Sequence, residues 1–378
     1  MNQKSKRIVV TGAAGFIGKN LIKELIKRNH QVIGIDSLSP QIHGDNPKVT
    51  FDGFSLNNQF KYIKADFNQI DKYKEYLESA NVIYHLAAET GTGQSMYMAK
   101  HYFDVNVNST INLLDFLVKS SSKSHFIFAS SRSIYGEGAY MLNNSIVVPD
   151  SRSYEDLVNG VFTLSFEGSN DLKLIATPET CNPKPASVYA LTKYVIENYL
   201  DIISKSHSLK CTSLRFQNVY GPGQSLKNPY TGILSIFSNK MRANENINIF
   251  EDGLESRDFV FIEDVVSSLI SSIDRSGKIH EKINIGYGSP ISVLEIASLL
   301  KEKLNSDSKI EITGDFRLGD IRHCYADLKL AKRILNYNPT YSIDKGISLF
   351  VNWVLNQSLE KDNSDKAMLE LKKYGISK

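Results

Sequence analysis

Arg7-Ile8-Val9-Val10-Thr11-Gly12-Ala13-Ala14-Gly15-Phe16-Ile17-Gly18 is the stretch whose reading decides the fold. Arg7–Thr11 is a short β-branched run, and Phe16–Asn29 carries Ile17, Leu21, Leu25 and Ile26 at helical spacing, so a strand, a glycine-rich turn and a helix follow one another. In that context the glycine spacing is informative. Gly12 and Gly15 let the backbone approach phosphate oxygens at the positive end of the helix, and Gly18 lets helix and strand pack closely. A dinucleotide is the expected ligand of this turn.

The next strand, Gln31–Asp36, ends on a carboxylate about twenty residues beyond Gly18, placed to accept hydrogen bonds from both hydroxyls of an adenosine ribose. Asp36 would repel a 2′-phosphate and no arginine follows it directly, which favours NAD over NADP. Strand-like runs recur at Lys61–Lys64, Val82–Leu86, His125–Ala129, Cys211–Phe216 and Lys282–Ile285, with helical patterns between most of them. That alternation predicts an α/β fold, a doubly wound parallel sheet with ligands at the carboxyl ends of its strands.

Tyr189 and Lys193 stand four apart in Val188-Tyr189-Ala190-Leu191-Thr192-Lys193, so on a helix both reach the same side. A free phenol has a pKa of about 10, and bringing it to about 7 takes roughly 4 kcal/mol of phenolate stabilisation. The Lys193 ammonium and an oxidised nicotinamide are the expected joint sources. Tyr189 would then serve as a general base on an alcohol. Ser131, just past the strand His125–Ala129, is placed to hydrogen-bond the same alcohol oxygen.

The chain has 378 residues, 42% of them hydrophobic and 22% charged, the composition of an ordinary globular protein with room for two lobes. Its net charge of +3 comes without a long basic block, so nucleic acid is not an indicated partner. The N-terminal residues lack the apolar core of a signal peptide, and no apolar run is long enough to span a bilayer. Cys181, Cys211 and Cys324 lie far apart without a CxxC pair, and a reducing cytoplasm is the expected location.

Together, Gly12-x-x-Gly15-x-x-Gly18, His85-Leu86-Ala87-Ala88, Ser130-Ser131-x-x-x-Tyr135-Gly136, Tyr189-x-x-x-Lys193, Arg215-Phe216-Gln217-Asn218-Val219-Tyr220-Gly221-Pro222, Arg257-Asp258-Phe259 and Arg317-Leu318-Gly319-Asp320 resemble an extended short-chain dehydrogenase/reductase. More narrowly, residues 7–355 are similar to the nucleotide-sugar epimerase/dehydratase family. The resemblance implies a Rossmann-type lobe that binds NAD and a smaller C-terminal lobe over a nucleotide-sugar substrate. It makes Ser131, Tyr189 and Lys193 the catalytic set, and places Phe16, Ile17, Asp66, Ala87 and Lys193 with Gly12, Gly15, Gly18 and Asp36 around the cofactor. Thr90, Arg132, Asn218, Arg257 and Arg317 fall to the substrate, the two latter arginines with fork-shaped donors suited to a diphosphate. It also implies a homodimer, formed through the helix after Val105-Asn106-Val107 and the helix bearing Tyr189.

Sugar 4,6-dehydratases of this family carry an Asp-Glu pair just after the catalytic hydroxyl residue, where Arg132 and Ser133 stand here. Epimerisation at C4 through transient oxidation is therefore the expected reaction, and a net oxidoreductase or decarboxylase on a similar sugar nucleotide, or a non-catalytic dinucleotide-sensing protein, the alternatives; the intact Ser131, Tyr189 and Lys193 argue against the last. Ser39–Gly44 and Ala88–Tyr97 are similar to the matching stretches of 4-epimerases acting on dTDP-L-rhamnose. Those enzymes often carry paired cysteines between Gly136 and Tyr189, but the insertion 137–182 has only Cys181, so no metal is expected. Either packing of Val147, Val148, Leu157, Val161, Phe162, Leu164 and Phe166 holds it, or it has diverged with substrate. The expected lobes are residues 1–224 with 258–291, then 225–257 with 292–358. The polar residues 359–378 read as a surface helix or as partly disordered.

Overall fold

The structure, a computed structural model, describes residues 4–44, 47, 51, 58–228, 232–274, 280–359 and 364–377. Residues 360–363 and 378 of the polar tail lie outside the described residues. Seven parallel strands form one sheet: β1 (Arg7–Thr11), β2 (Gln31–Asp36), β3 (Phe60–Lys64), β4 (Val82–His85), β5 (His125–Ser131), β6 (Lys210–Phe216) and β7 (Glu281–Ile285). Their spatial order is β7-β6-β5-β4-β1-β2-β3, with Val9 opposite Ile33 on one side and opposite Ile83 on the other. The order reverses at β1, which opens a crevice beyond its carboxyl end.

The period of two in β1 explains the double winding. Ile8 and Val10 enter a core with Leu21, Ile22 and Leu25 of α1 (Phe16–Lys27), while Val9 enters a second core with Leu113, Leu117, Ile196 and Leu200 on the opposite face. Ile196 and Leu200 belong to α2 (Val188–Ser206), whose N-cap Ser187 accepts a hydrogen bond from the Ala190 amide.

Small sheets build the rest. Asn218–Tyr220 pairs with Phe259–Phe261, and Ser256–Arg257 lies between Ile291–Ser292 and His323–Cys324. Asp258 joins these pieces, accepting hydrogen bonds from the amides of Tyr287, Gly288 and Ala326; burial raises its carboxyl to about 6.

The insertion shows part of the apolar packing offered for it. Leu157 and Leu164 are buried, and Val148 packs near Tyr135 and Cys181, but Val161 is 46% exposed. A buried ionic cluster anchors it as well. Arg152 pairs with Glu251 and donates to the Asp320 carbonyl at 2.9 Å, and Glu137 accepts from the Arg322 amide. Arg322 in turn grips Asp252 with both terminal nitrogens, at 2.6 and 2.7 Å. In the tail the surface-helix reading holds for α3 (Ser364–Lys373), which leaves Leu369 exposed and buries Ala367 and Leu371 against the body of the protein.

Candidate functional site

One cavity of about 1180 Å³ runs from the glycine-rich turn, past the ends of β4 and β5, to the loop holding Arg317. At its floor Gly12 has φ +71°, and a Cβ there would stand 2.8 Å from the Ala87 nitrogen; a Cβ on Gly18 would stand 2.1 Å from the Gly12 carbonyl oxygen. Only glycine fits either position. The turn is thereby pulled against β4 and α1, leaving an open cradle at the helix N-terminus that suits a pyrophosphate.

Asp36 closes one end of this cradle. Its two carboxylate oxygens accept from the amides of Ala14, at 2.9 Å, and Leu38, at 2.8 Å, which fixes the group at the cavity wall with lone pairs to spare. Phe16, Ile17, Asp66 and Ala87 line the same cavity. The donors, the carboxylate and the shape fit NAD.

Ser131, Tyr189 and Lys193 meet at the centre of the cavity. Ser131, the last residue of β5, accepts at Oγ from the amide and hydroxyl of Ser133, at 3.2 and 2.9 Å, so its own proton is free to donate. It hydrogen-bonds the Tyr189 phenol. Burial raises that phenol above its usual pKa, and the Ser131 hydrogen bond and the Arg132 charge pull it back. Lys193 is buried, donates to the Ala129 carbonyl at 2.8 Å and lies 4.8 Å over the Phe128 ring. Burial brings its ammonium down to about 7. In the protein alone the Arg132 charge acts on the phenol, and Lys193 sits 5.9 Å from the tyrosine ring.

The substrate-side residues divide by geometry. Arg132 donates from Nε to Asn218 Oδ1 at 3.0 Å, and both line the cavity. Arg257 is held by the carbonyls of Ser256, Ile321 and Arg322, which aims a partly used guanidinium at the same space. Arg317 pairs with Asp320 at 2.8 Å, lies 5.3 Å over Phe250 and keeps 39% of its side chain exposed. Thr90 is exposed on the loop after β4 and also lines the cavity.

Sequence reasoning missed Glu197 as part of the frame. Its carboxylate is fully buried, receives Arg215 through Nε and Nη2 at 3.0 and 2.6 Å, and accepts the Ser130 hydroxyl. Arg215 also donates to the Tyr135 hydroxyl at 2.6 Å. This network ties β5, α2 and β6 together behind Ser131 and Lys193. The signal was available: Tyr189, Lys193 and Glu197 repeat every four residues along one helix face. His85 belongs to structure as well, bonded to Thr11 and Thr110, with burial lowering its imidazole to about 3. Among the described residues, no group of three or more His, Cys, Asp or Glu could hold a metal ion, and no helix is long and apolar enough to cross a membrane.

With a dinucleotide cradle and a Ser, Tyr and Lys set facing one cavity, the site is that of an enzyme working on an alcohol with NAD. Residues 8–155 and 166–286 match the model of the NAD dependent epimerase/dehydratase family. The chain is 35% identical over 362 residues to the dTDP-L-rhamnose 4-epimerase of Burkholderia thailandensis, covering 95% of this chain and 97% of that one. The crystal structure of UDP-glucose 4-epimerase with UDP-glucose from Thermotoga maritima superposes with a TM-score of 0.74 at 29% identity, covering 93% of this chain and 99% of that one. The UDP-glucuronic acid 4-epimerase from Bacillus cereus, in complex with UDP-glucuronic acid and NAD, gives 0.74 at 27% identity, covering 92% and 98%. The chain belongs to the NAD dependent epimerase/dehydratase family.

Proposed function

We propose that the protein is an NAD-dependent nucleotide-sugar 4-epimerase whose substrate is a dTDP-6-deoxyhexose such as dTDP-L-rhamnose. One observation carries the reading: Ser131, Tyr189 and Lys193 face the cavity that the glycine turn floors, while the two positions after Ser131 hold Arg132 and Ser133 rather than carboxyl groups. The relative from Burkholderia thailandensis supports the choice of sugar nucleotide.

In this reading Gly12, Gly15, Phe16, Ile17, Gly18, Asp36, Asp66, Ala87 and Lys193 hold NAD. When bound, NAD supplies a reversible acceptor for the hydrogen of an alcohol carbon. Tyr189 takes the proton of the C4 hydroxyl and later returns one, a proton transfer worth about 10²–10⁴ in rate. Ser131 donates to the C4 oxygen, and Arg132 stabilises charge on the phenol. Thr90, Arg132, Asn218, Arg257 and Arg317 bind the sugar and diphosphate.

The enzyme acts as a homodimer through α2 and the helix Ser109–Lys119, a reading supported by the exposed Leu191 and Ile202 on α2. The three free, buried cysteines suit a reducing cytoplasm.

The deciding experiment supplies a C4-deuterated dTDP-sugar. A 4-epimerase yields product of opposite C4 configuration that keeps the deuterium, with no net NADH. Deuterium entering C3 or C5 from solvent would signal enolisation, and stoichiometric NADH a net oxidoreductase; either result overturns the proposal.

A further inference from the structure

Residues 364–377 lie beyond those matched by the family model, yet they reach the candidate site from two sides. On one side Leu371 closes over Gly93, where an added Cβ would stand 3.1 Å from its Cδ2. Beside it the Tyr97 hydroxyl donates to Glu370 at 2.8 Å, and the Tyr97 ring stacks on Tyr374 with centroids 4.7 Å apart. On the other side the Leu318 amide donates to the Ile376 carbonyl at 2.8 Å, and Arg317 bridges to Ser377 in antiparallel pairing. Ala367, Met368 and Leu371 line the cavity together with Thr90 and Gly93.

We propose that residues 364–377 form a strap across the sugar end of the site, tying the loop after β4 to the Arg317 loop and presenting an apolar wall to the sugar. The inference rests on the 4-epimerase reading. Such a reaction removes hydrogen from C4 and returns it to the opposite face, so the keto sugar must turn over while it stays in the site. Ala367, Met368 and Leu371 offer no side-chain hydrogen bond that would hold one orientation against the other, and Lys372, which also lines the cavity, is exposed. Closure keeps the keto sugar from escaping and keeps water out. The strap meets the body at a few points, among them the ring stack, the Tyr97–Glu370 and Leu318–Ile376 hydrogen bonds, the Arg317–Ser377 bridge and the buried Ala367, Leu371 and Ile376, and it lifts from these for exchange of substrate and product.

The test compares the full chain with a variant ended before Ser364 and with Leu371→Asn, which keeps the strap but unseats it. Bound NAD and the unfolding temperature report the fold of each. With dTDP-L-rhamnose, the shortened enzyme is expected to keep its NAD, to show a KM raised about tenfold, and to release free 4-keto sugar, captured as a hydrazone. Leu371→Asn shows the same changes in smaller measure, and serves as the test should the shortened chain lose its NAD. In the full chain, adding dTDP-L-rhamnose slows amide exchange across residues 364–377. Unchanged KM with no escaping keto sugar overturns the proposal, as does exchange in the strap that ignores the nucleotide sugar. A full-length enzyme that turns over no nucleotide sugar overturns the 4-epimerase reading instead, and the strap is then judged by its exchange on binding dTDP-L-rhamnose.

Discussion

Arg215 and Arg317 are built alike and placed differently. Each pairs with a carboxylate, Arg215 with Glu197 and Arg317 with Asp320, and each lies over an aromatic ring, at 5.0 Å from Tyr135 and 5.3 Å from Phe250. The first pair is 3% and 0% exposed; the second is 39% and 28% exposed and opens on the cavity. Burial turns one arginine into a lock between β5, α2 and β6, while exposure leaves the other with donors to spare for a ligand. The same division runs through the molecule: a closed half that fixes Ser131, Tyr189 and Lys193, and an open half, assembled from short strands and loops, that lines the far end of the cavity.

The sharpest way to test this division is at the reacting group of the closed half. Tyr189→Phe keeps the ring and removes the hydroxyl, so turnover should fall by about 10²–10⁴ while bound NAD and the unfolding midpoint stay unchanged. Steady-state assays with a dTDP-sugar and cofactor release on denaturation measure both. Wild-type turnover in this variant would remove Tyr189 from the chemistry.

Glu197→Ala probes the lock. It leaves the Arg215 guanidinium buried without its main partner, and the unfolding free energy should drop by about 3–5 kcal/mol in denaturant titration. Replacing both residues by apolar ones of similar volume should recover most of that loss, since an uncompensated charge, more than the absent pair, carries the cost. A Glu197→Ala protein as stable as wild type would mean that water already satisfies Arg215.

Much of the closed half was legible in the chain. The β-branched run Arg7–Thr11, the three glycines after it and the strand–helix alternation that follows foretold the sheet and its crevice, because each pattern is set by neighbours a few residues apart. The four-residue spacing of Tyr189 and Lys193 put both on the cavity side of one helix for the same reason. The anchoring of the insertion was not legible: Arg152 meets Glu251 from 99 residues away, and no local pattern announces a long-range ion pair. Nor was the docking of α3, where Ala367, Met368 and Leu371 sit in a stretch dominated by charge and read as solvated. Tertiary contact overrides composition in both.

Arg317→Ala should affect binding and leave the fold alone, the reverse of the lock. Losing its charge-assisted contacts to phosphate costs about 1.5–3 kcal/mol, a rise in KM of roughly ten- to a hundredfold, with NAD content and the unfolding midpoint unchanged. An unfolding midpoint that falls as it does for Glu197→Ala would erase the distinction between the two arginines.

A pH series tests whether the closed half holds Lys193 as tightly as its burial indicates. In the cofactor-free protein burial brings the folded-state ammonium down to about 7, whereas an unfolded lysine titrates near 10.4. Between these values the unfolded chain carries a proton that the folded one lacks, so stability rises with pH across that window, by up to about 1.4 kcal/mol per pH unit. Below pH 7 both states are protonated, and the cost of burying the charge is paid in full. Lys193→Met has no proton to exchange, so the difference in unfolding free energy between wild type and variant should climb in favour of wild type from pH 7 to 10 and level off beyond. A difference that stays flat with pH would mean that water reaches Lys193 in the folded protein and keeps it charged, and the closed half would then be more open at its centre than Arg215 is at its base.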